Sequence, residues 1–578
     1  MIKKIIKSKA LEYITKISFV LAILVLIAML GFGFPTEYKI FVNILFINIL
    51  LLGIVKTVLK YTYTEEKNIH RVIVFDILSV VFISYCLYKQ INDYSFYYVS
   101  KYLQFAVSLK LIREFATPNF SFKRKYINPP QLFIISFVAL IFMGAFLLML
   151  PKATNHSITF LNALFTSTSA VCVTGLSVYD VPYTFSIFGQ FVIMILVQIG
   201  GLGILTFAAY IAYFFKGNSS FEYQISLGNI SNNDAFSEVF SFIKRIIFLT
   251  FSIELIGAIL IYISLNNLNA PITDKIFLSI FHSISAFCNA GFSILPNGFS
   301  HNIILNNYFL QSIVIVLIFL GGIGFPILVN ILRYFKYFIN KTVLIVFYKK
   351  QEQKTWVFNL NSKVNLVTTL VIFIVSTIII YFEEFYNALN SHSGLGKWVS
   401  AAFISMSTRS AGFNTFDYSE LQFSTIIMIL LLMWIGASPT STGGGIKTST
   451  FAIAILNFIN IARGKQTIEI FNRTINDAIV QKAFATITLS FLVIGIGIFL
   501  VSKFDYELPL IDIAFEVFSA YSTVGLSLKT TPLLSDQSKI VLIIIMFIGR
   551  VSMITILTAF FKKSLSSRYN YPSGDILI

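Results

Sequence analysis

Hydrophobic residues run through this chain in long blocks separated by short polar stretches, and beyond residue 128 the blocks come in pairs. The pairs fall near 131 to 150 and 187 to 214, 241 to 265 and 308 to 338, 363 to 382 and 423 to 459, and 482 to 502 and 538 to 562. A membrane-crossing helix needs about 20 apolar residues, and each block is read as one. Four further runs lie near 17 to 34, 40 to 59, 72 to 88 and 94 to 112. The first has the length of a signal peptide, but no small-residue cleavage site follows it, so it is read as a retained helix. The fourth is the least apolar, because it carries an aromatic stretch from Tyr94 to Tyr98 and Lys101. Asn128-Pro129-Pro130 breaks the chain between this block and the pairs.

Between the members of each pair lies the same short pattern. Its copies are Thr168 to Ser177, Ala286 to Ser293, Ser407 to Asn414 and Tyr521 to Ser527. Aligned on Gly175, Gly291, Gly412 and Gly525, they share a small or β-branched residue before the glycine (Thr174, Ala290, Ala411, Val524) and an apolar one after it (Leu176, Phe292, Phe413, Leu526). The copies recur at intervals of about 115 residues, too long for a solenoid and right for a hairpin of two membrane helices with a re-entrant segment between them. Short helices are expected to lead into each copy, over Ile158 to Ala170, Lys275 to Phe287, Gly396 to Ser407 and Leu508 to Tyr521, with their carbonyl ends aimed at the glycines. An extended segment such as Val178 to Tyr183 then returns the chain to the outer surface.

Backbone without helical hydrogen bonds is tolerated at membrane depth only where it is buried in protein or lines a water-filled path. Four such stretches around an axis make a pore, and glycine lets successive carbonyls point inward to replace a cation's hydration shell. The candidate ion-binding residues are therefore Val173, Thr174 and Gly175; Asn289, Ala290 and Gly291; Ser410, Ala411 and Gly412; and Thr523, Val524 and Gly525. Arg409 sits beside them and is expected to bond loop carbonyls behind the filter rather than face the ions.

A second mark follows each glycine by about 25 residues, deep in the next apolar block. It reads Ile199 to Leu205, Leu320 to Phe325, Ile435 to Ser438 and Ile548 to Val551. The third is continued by Ser438, Pro439, Thr440, Ser441, Thr442, Gly443, Gly444 and Gly445, a run that cannot stay helical, since proline lacks a donor and glycine resists helix. It is expected to form an intramembrane gate loop below the filter, and to be the sharpest departure from four-fold symmetry. Arg550 lies at the matching height in the fourth pair, where an arginine is costly unless it pairs or meets water. It is read as a gate residue, with a carboxylate such as Glu254 the alternative partner.

Composition narrows the picture further. A chain that is 56% hydrophobic and 12% charged, with 61 Phe and a mean hydropathy of +0.81, is an all-α polytopic membrane protein. Three cysteines make no disulfide framework, and Cys172 and Cys288 fall in one column as small buried residues. Five scattered histidines and the lack of nucleophile or phosphate-loop motifs leave no catalytic centre. With twelve spans and the N-terminus inside, most of the 43 Lys and Arg fall on the cytoplasmic side, as cytoplasmic loops require. Both termini are then cytoplasmic. The net charge of +17 reflects topology and contact with anionic lipid, not nucleic-acid binding.

From about Asn128 to Lys563 the chain resembles the KtrB, TrkH and HKT superfamily of potassium transport subunits, and KtrB most of all. The glycine copies and the run Ser438 to Thr448 carry the resemblance. It implies four pseudo-symmetric repeats of helix, pore loop and helix (M1-P-M2) around a central pore. Their bounds would be 129–216, 217–340, 341–465 and 466–578, preceded by about four extra transmembrane helices over 1–128. It also implies potassium uptake through the filter in the cell inner (plasma) membrane, passive or coupled to a sodium or proton gradient. Glycine rather than serine at 175 goes with potassium over sodium in that superfamily, a sodium-selective or Na/K cotransporting relative being the alternative. The resemblance implies a homodimer on a cytosolic ring of RCK subunits that bind nucleotide, docked on the basic loops Arg333 to Lys363 and Arg463 to Lys482, and Na+ as a possible coupling or regulatory ion. It also implies that Arg550 lines the ion path.

Overall fold

The computed structural model describes residues 36–63, 70–93, 101–115, 129–203, 236–266, 270–348, 359–465 and 467–561, with most of 18–32. The described residues are mostly helical; the only strands among them are the two-residue pair Glu469–Ile470 and Arg473–Thr474.

Three N-terminal helices, Thr36–Tyr63, His70–Asp93 and Lys101–Phe115, pack on one another around Val42, Phe46, Leu50, Ile83, Cys86, Leu103 and Val107. The described part of the third, at 15 residues, spans about 22 Å, less than a hydrocarbon core. The residues before it, 94–100, lie outside the described set.

From Pro129 onward the chain repeats one order of elements four times: a helix, a short helix, a tight non-helical turn, and another helix. The first helices are Pro129–Leu148, Phe236–Ser264, Leu360–Glu383 and Asp477–Phe504. The short ones are Phe160–Val171, Ile272–Phe287, Leu395–Ser407 and Leu510–Tyr521, within three residues of the expected bounds. Among the described residues, three helices, within Lys244–Ser264, Leu360–Glu383 and Asp477–Phe504, are long and apolar enough to cross a membrane, and two bent pairs pass the same test when each is joined.

Helix Leu360–Glu383 shows which solvent the fold is built for. Its buried positions include Ser362, Asn365, Thr369, Ser376 and Thr377, while Val367, Val371, Ile374, Val375, Ile378 and Phe382 are exposed. Polar side chains turned inward to bond other helices and apolar ones turned outward are the pattern of a helix in lipid.

The closing helices of the second and fourth units are broken, as well as the third. The first unit's helix Ile187–Leu202 ends at Gly203 (φ 81°, ψ 129°); residues 204–214 of the expected span lie outside the described set. Tyr308–Ile323 turns at Gly324 (φ 96°, ψ 141°) into Phe325–Tyr348, a bend of 106°. Asp536–Val551 turns at Ser552 (φ 74°, ψ 131°) into Met553–Phe560, a bend of 88°. The expected continuous helices 308 to 338 and 538 to 562 are thus each two. In the third unit the break widens to the whole stretch between Phe423–Trp434 and Thr448–Ala462. The expected extended return after the first turn is also shorter than anticipated: Pro182 starts a single helical turn, Val181–Thr184, after Asp180.

Ser552 occupies a conformation that only glycine adopts without strain. Ser552→Gly is expected to stabilise the protein by about 1 kcal/mol. Thermal unfolding in detergent reads this as a higher Tm; an unchanged or lower Tm would mean that the hydroxyl compensates the backbone.

Candidate functional site

The four turns meet. Gly175, Gly291, Gly412 and Gly525 all have positive φ, at 95°, 68°, 75° and 90°. A Cβ on Gly175 would run into Ala290 O, one on Gly291 into Ala411 O, one on Gly412 into Val524 O, and one on Gly525 into Thr174 O. The contacts close on themselves, so the turns form a ring in sequence order. The first and third units face each other across it, as do the second and fourth.

Two residues before each glycine the backbone is again left-handed, at Val173 (59°), Asn289 (58°), Ser410 (101°) and Thr523 (50°). Non-glycine residues held in this region are strained, and four in one register mean that the surrounding contacts impose the shape. Thr174, Ala290, Ala411 and Val524, between the two, are fully buried. The hydroxyls of Thr174, Ser410 and Ser522 are buried without a protein partner.

A serine near the end of each short helix ties down its turn, a feature the sequence reading passed over. Ser169 Oγ accepts from Gly175 N and Ser519 Oγ from Gly525 N, both at 3.0 Å. Ser285 Oγ donates to Phe292 O at 2.7 Å, and Ser407 Oγ donates to Phe413 O. The signal was there: a serine stands six residues before three of the glycines and five before Gly412. Consistent with that shorter spacing, Ala411 N bonds Ser407 O, whereas Thr174, Ala290 and Val524 N bond Ser169, Ser285 and Ser519 O. Ser519→Ala is expected to cost about 1 to 3 kcal/mol, since it strands a buried amide. A Tm within experimental error of the parent would refute that role.

The second sequence mark has a packing cause. A side chain on Gly200 would collide with Val171 O, on Gly321 with Phe287 O, and on Gly549 with Tyr521 O. Each of these carbonyls belongs to the last residue of a short helix, so the glycines let the closing helices press against the backbone that carries the turns. The helix end at Gly203 and the bends at Gly324 and Ser552 follow three residues later in each case.

In the third unit the loop takes that space. Ile435 and Ile446 bridge its neck. Ser438 N and Thr442 N donate to Gly322 O and Gly321 O, at 3.0 and 3.4 Å, and Gly444 N donates to Thr523 Oγ1 at 2.9 Å. A Cβ on Gly443 would meet Ser410 Oγ, so the loop lies directly against the ring. Thr448 Oγ1 donates to Asn365 Oδ1 at 2.7 Å, and Lys447 Nζ donates to Gly443 O at 2.8 Å. Lys447 went unremarked in the sequence because it follows the glycines as an ordinary helix-flanking cation.

Arg550 donates to Thr442 O of this loop and to Gly200 O, the latter at 2.5 Å. Glu254 is not its partner: that carboxylate accepts from Gln198 Nε2, at 2.9 and 3.1 Å, and from Cys288 Sγ at 3.9 Å. Arg409 is buried and donates to Thr369 O and Gly436 O, both at 3.4 Å, so its carbonyl partners lie on the opening helix of its own unit and at the head of the loop. Cys172 and Cys288 are buried free thiols, as expected of small packing residues.

On the segment leaving the ring, Lys529 pairs with Asp417 of the neighbouring unit. Burial works against ionisation of Asp417, but the bonds from Lys529 and Ser419 outweigh it and hold its carboxyl below the usual range. The same bond raises Lys529.

Comparison with known proteins gives the family. The family model for TrkH, described as a cation transport protein, matches residues 100–570. The chain is 35% identical over 451 residues to Ktr system potassium uptake protein B of Bacillus subtilis, covering 78% of this chain and 96% of that one. It is 34% identical over 467 residues to potassium/sodium uptake protein NtpJ of Enterococcus hirae, covering 79% and 98%. The crystal structure of the potassium transporter TrkH from Vibrio parahaemolyticus shares the fold, with a TM-score of 0.59 at 16% identity over 91% of this chain and 98% of that one. The protein is a membrane transporter and not an enzyme, and the chain belongs to the TrkH/KtrB family of cation transport proteins.

Proposed function

We propose that the chain takes up potassium through the ring of four turns, which serves as a carbonyl-lined selectivity filter at the centre of four helix, pore-loop and helix repeats. The observation that carries this reading is the closure of the ring: each glycine is pressed against the next unit's carbonyl, with Thr174, Ala290, Ala411 and Val524 at the inner register. Oxygen atoms held in such a frame replace a dehydrated cation's water shell, and the unpartnered hydroxyls of Thr174, Ser410 and Ser522 add to the set. Glycine at all four central positions favours potassium. The Enterococcus relative is called a potassium/sodium uptake protein, which keeps sodium as the alternative or coupling ion.

The repeats occupy 129–216, 217–340, 341–465 and 466–578, with residues 1–128 as an added helical block. Ser438 to Gly445 form the gate, held beneath the ring by Arg550. In this reading the protein works in the plasma membrane as a homodimer, with both termini and a nucleotide-binding RCK ring on the cytoplasmic side. Purified protein in lipid vesicles tests it: rubidium uptake that is competed by potassium and not by equal sodium is expected. Equal competition by sodium would favour the sodium reading, and no uptake of either ion would reject the pore.

A further inference from the structure

Beyond each ring glycine by two residues stands Ser177, Ser293, Asn414 or Ser527. In the second and fourth units this serine is gripped from behind by a titratable side chain of the short helix. Both grips have the same register, nine residues before the glycine.

In the fourth unit Ser527 Oγ donates to Glu516 Oε1, and the same hydroxyl accepts from Thr530 N at 3.2 Å. Thr531 Oγ1 donates to the same carboxylate at 3.0 Å. In the second unit His282 Nδ1 lies 2.9 Å from Leu278 O, and a carbonyl only accepts, so Nδ1 carries the proton. In the neutral ring Nε2 is then an acceptor for the Ser293 hydroxyl, 2.9 Å away. Ser293 Oγ in turn accepts from Leu295 N at 3.1 Å. The two relays match link for link: buried side chain, serine hydroxyl, then a backbone amide of the segment leaving the ring. Glu516 and His282 are both almost wholly buried. The first and third units have Thr166 and Phe403 at this register, and Thr166 Oγ1 bonds Asn162 O of its own helix instead.

We infer that Glu516 and His282 are positioning residues for ion selection, fixing the outer ends of two opposite quarters of the ring through Ser527 and Ser293. A carboxylate or imidazole is an expensive group to bury in a membrane protein where an alanine would pack. Here each holds the hydroxyl that anchors the backbone two residues past a ring glycine, Glu516 holding that of Thr531 as well. Discrimination between ions of similar size requires carbonyls that hold their spacing, so slack at this anchor admits the smaller ion. The inference rests on the ring being the filter.

The test is rubidium uptake into vesicles with potassium or sodium as competitor, on purified full-length protein whose folding is checked by size exclusion and thermal unfolding. Glu516→Ala and Ser527→Ala are each expected to lower the preference for potassium over sodium about tenfold, the worth of one charge-assisted hydrogen bond. The double variant should be no worse than either single one, and Glu516→Gln, which keeps an acceptor for Ser527, should restore most of the preference. His282→Ala should act in the same direction. A residue that only stabilises the fold would lower the Tm and leave the preference intact, and that result in Ser527→Ala, the mildest change, overturns the proposal. Gly175→Ser separates the two levels. If it alters selectivity while the Glu516, Ser527 and His282 variants do not, the positioning role fails by itself; if none does, the filter reading fails with it.

Discussion

Gly175→Ser is expected to leave a folded transporter that has lost most of its preference for potassium over sodium. At φ 95° a side chain is strained whatever the space, and here the space is taken, because the new Cβ points at Ala290 O. Neither group can step aside cheaply. Ala290 is fully buried, its amide is bonded to Ser285 O, and its neighbour Gly291 is pressed in turn on Ala411 O. The displacement is therefore passed to the carbonyl spacing of the ring. Since each 1.4 kcal/mol of lost discrimination is a factor of ten, a modest shift of one quarter lowers the potassium preference by about tenfold or more. Competition of rubidium uptake by potassium and by sodium measures it. A folded Gly175→Ser protein with the parent's selectivity would show that ions are selected somewhere else.

Removing the loop beneath the ring should do the opposite: raise flux without touching selectivity. Deletion of Ser438 to Gly445, or Arg550→Ala, is expected to increase potassium uptake about tenfold while the preference over sodium stays the same. The loop's backbone reaches the second unit through Ser438 N and Thr442 N, the fourth through Gly444 N, and Arg550 through Thr442 O. Unpaired backbone at this depth costs several kcal/mol per group, so the loop stays where those partners are. Its glycines let it exchange partners with little steric resistance once a helix moves. Arg550 also clasps Gly200 O, and if it lines the ion path as proposed, its removal frees the loop and lowers an electrostatic barrier together. If both variants fold and flux is unchanged or lower, the loop is structural.

The four short helices and the glycine turns were legible because their signals are independent of the solvent. Positive-φ glycine, the small residue before it and the serine or asparagine after it come from backbone geometry, and they recur four times. The helix breaks were harder to see. At Gly203 and Gly324 the glycines were noticed but taken as part of continuous apolar helices, and at Ser552 neither glycine nor proline stands at the turning point. In a membrane the hydrophobic pattern gives no help, since a helix facing lipid and a helix facing protein are both apolar. The serines at 169, 285, 407 and 519 were overlooked for a related reason: a hydroxyl in an apolar helix usually bonds its own preceding turn, and only the assembled ring shows that these do not. Arg550 stood out in the sequence from its cost alone, but its partners are carbonyls from elements far apart in the chain, which no local pattern reveals.

The closure of the ring also sets the order in which the molecule can be made. The last contacts, Gly525 against Thr174 and Arg550 onto Gly200, join residues 351 and 350 positions apart. Helices that pair within a unit can settle as soon as they emerge from the ribosome, but the fourth turn must be synthesised before the first has its neighbour. Until then, the three earlier turns stand without the unit that closes their ring. Chains interrupted before about residue 525 should therefore insert yet remain open to protease and quality control, however well their earlier helices pack. If the ring is the proposed filter, selectivity is acquired in one late step, by the arrival of the C-terminal unit.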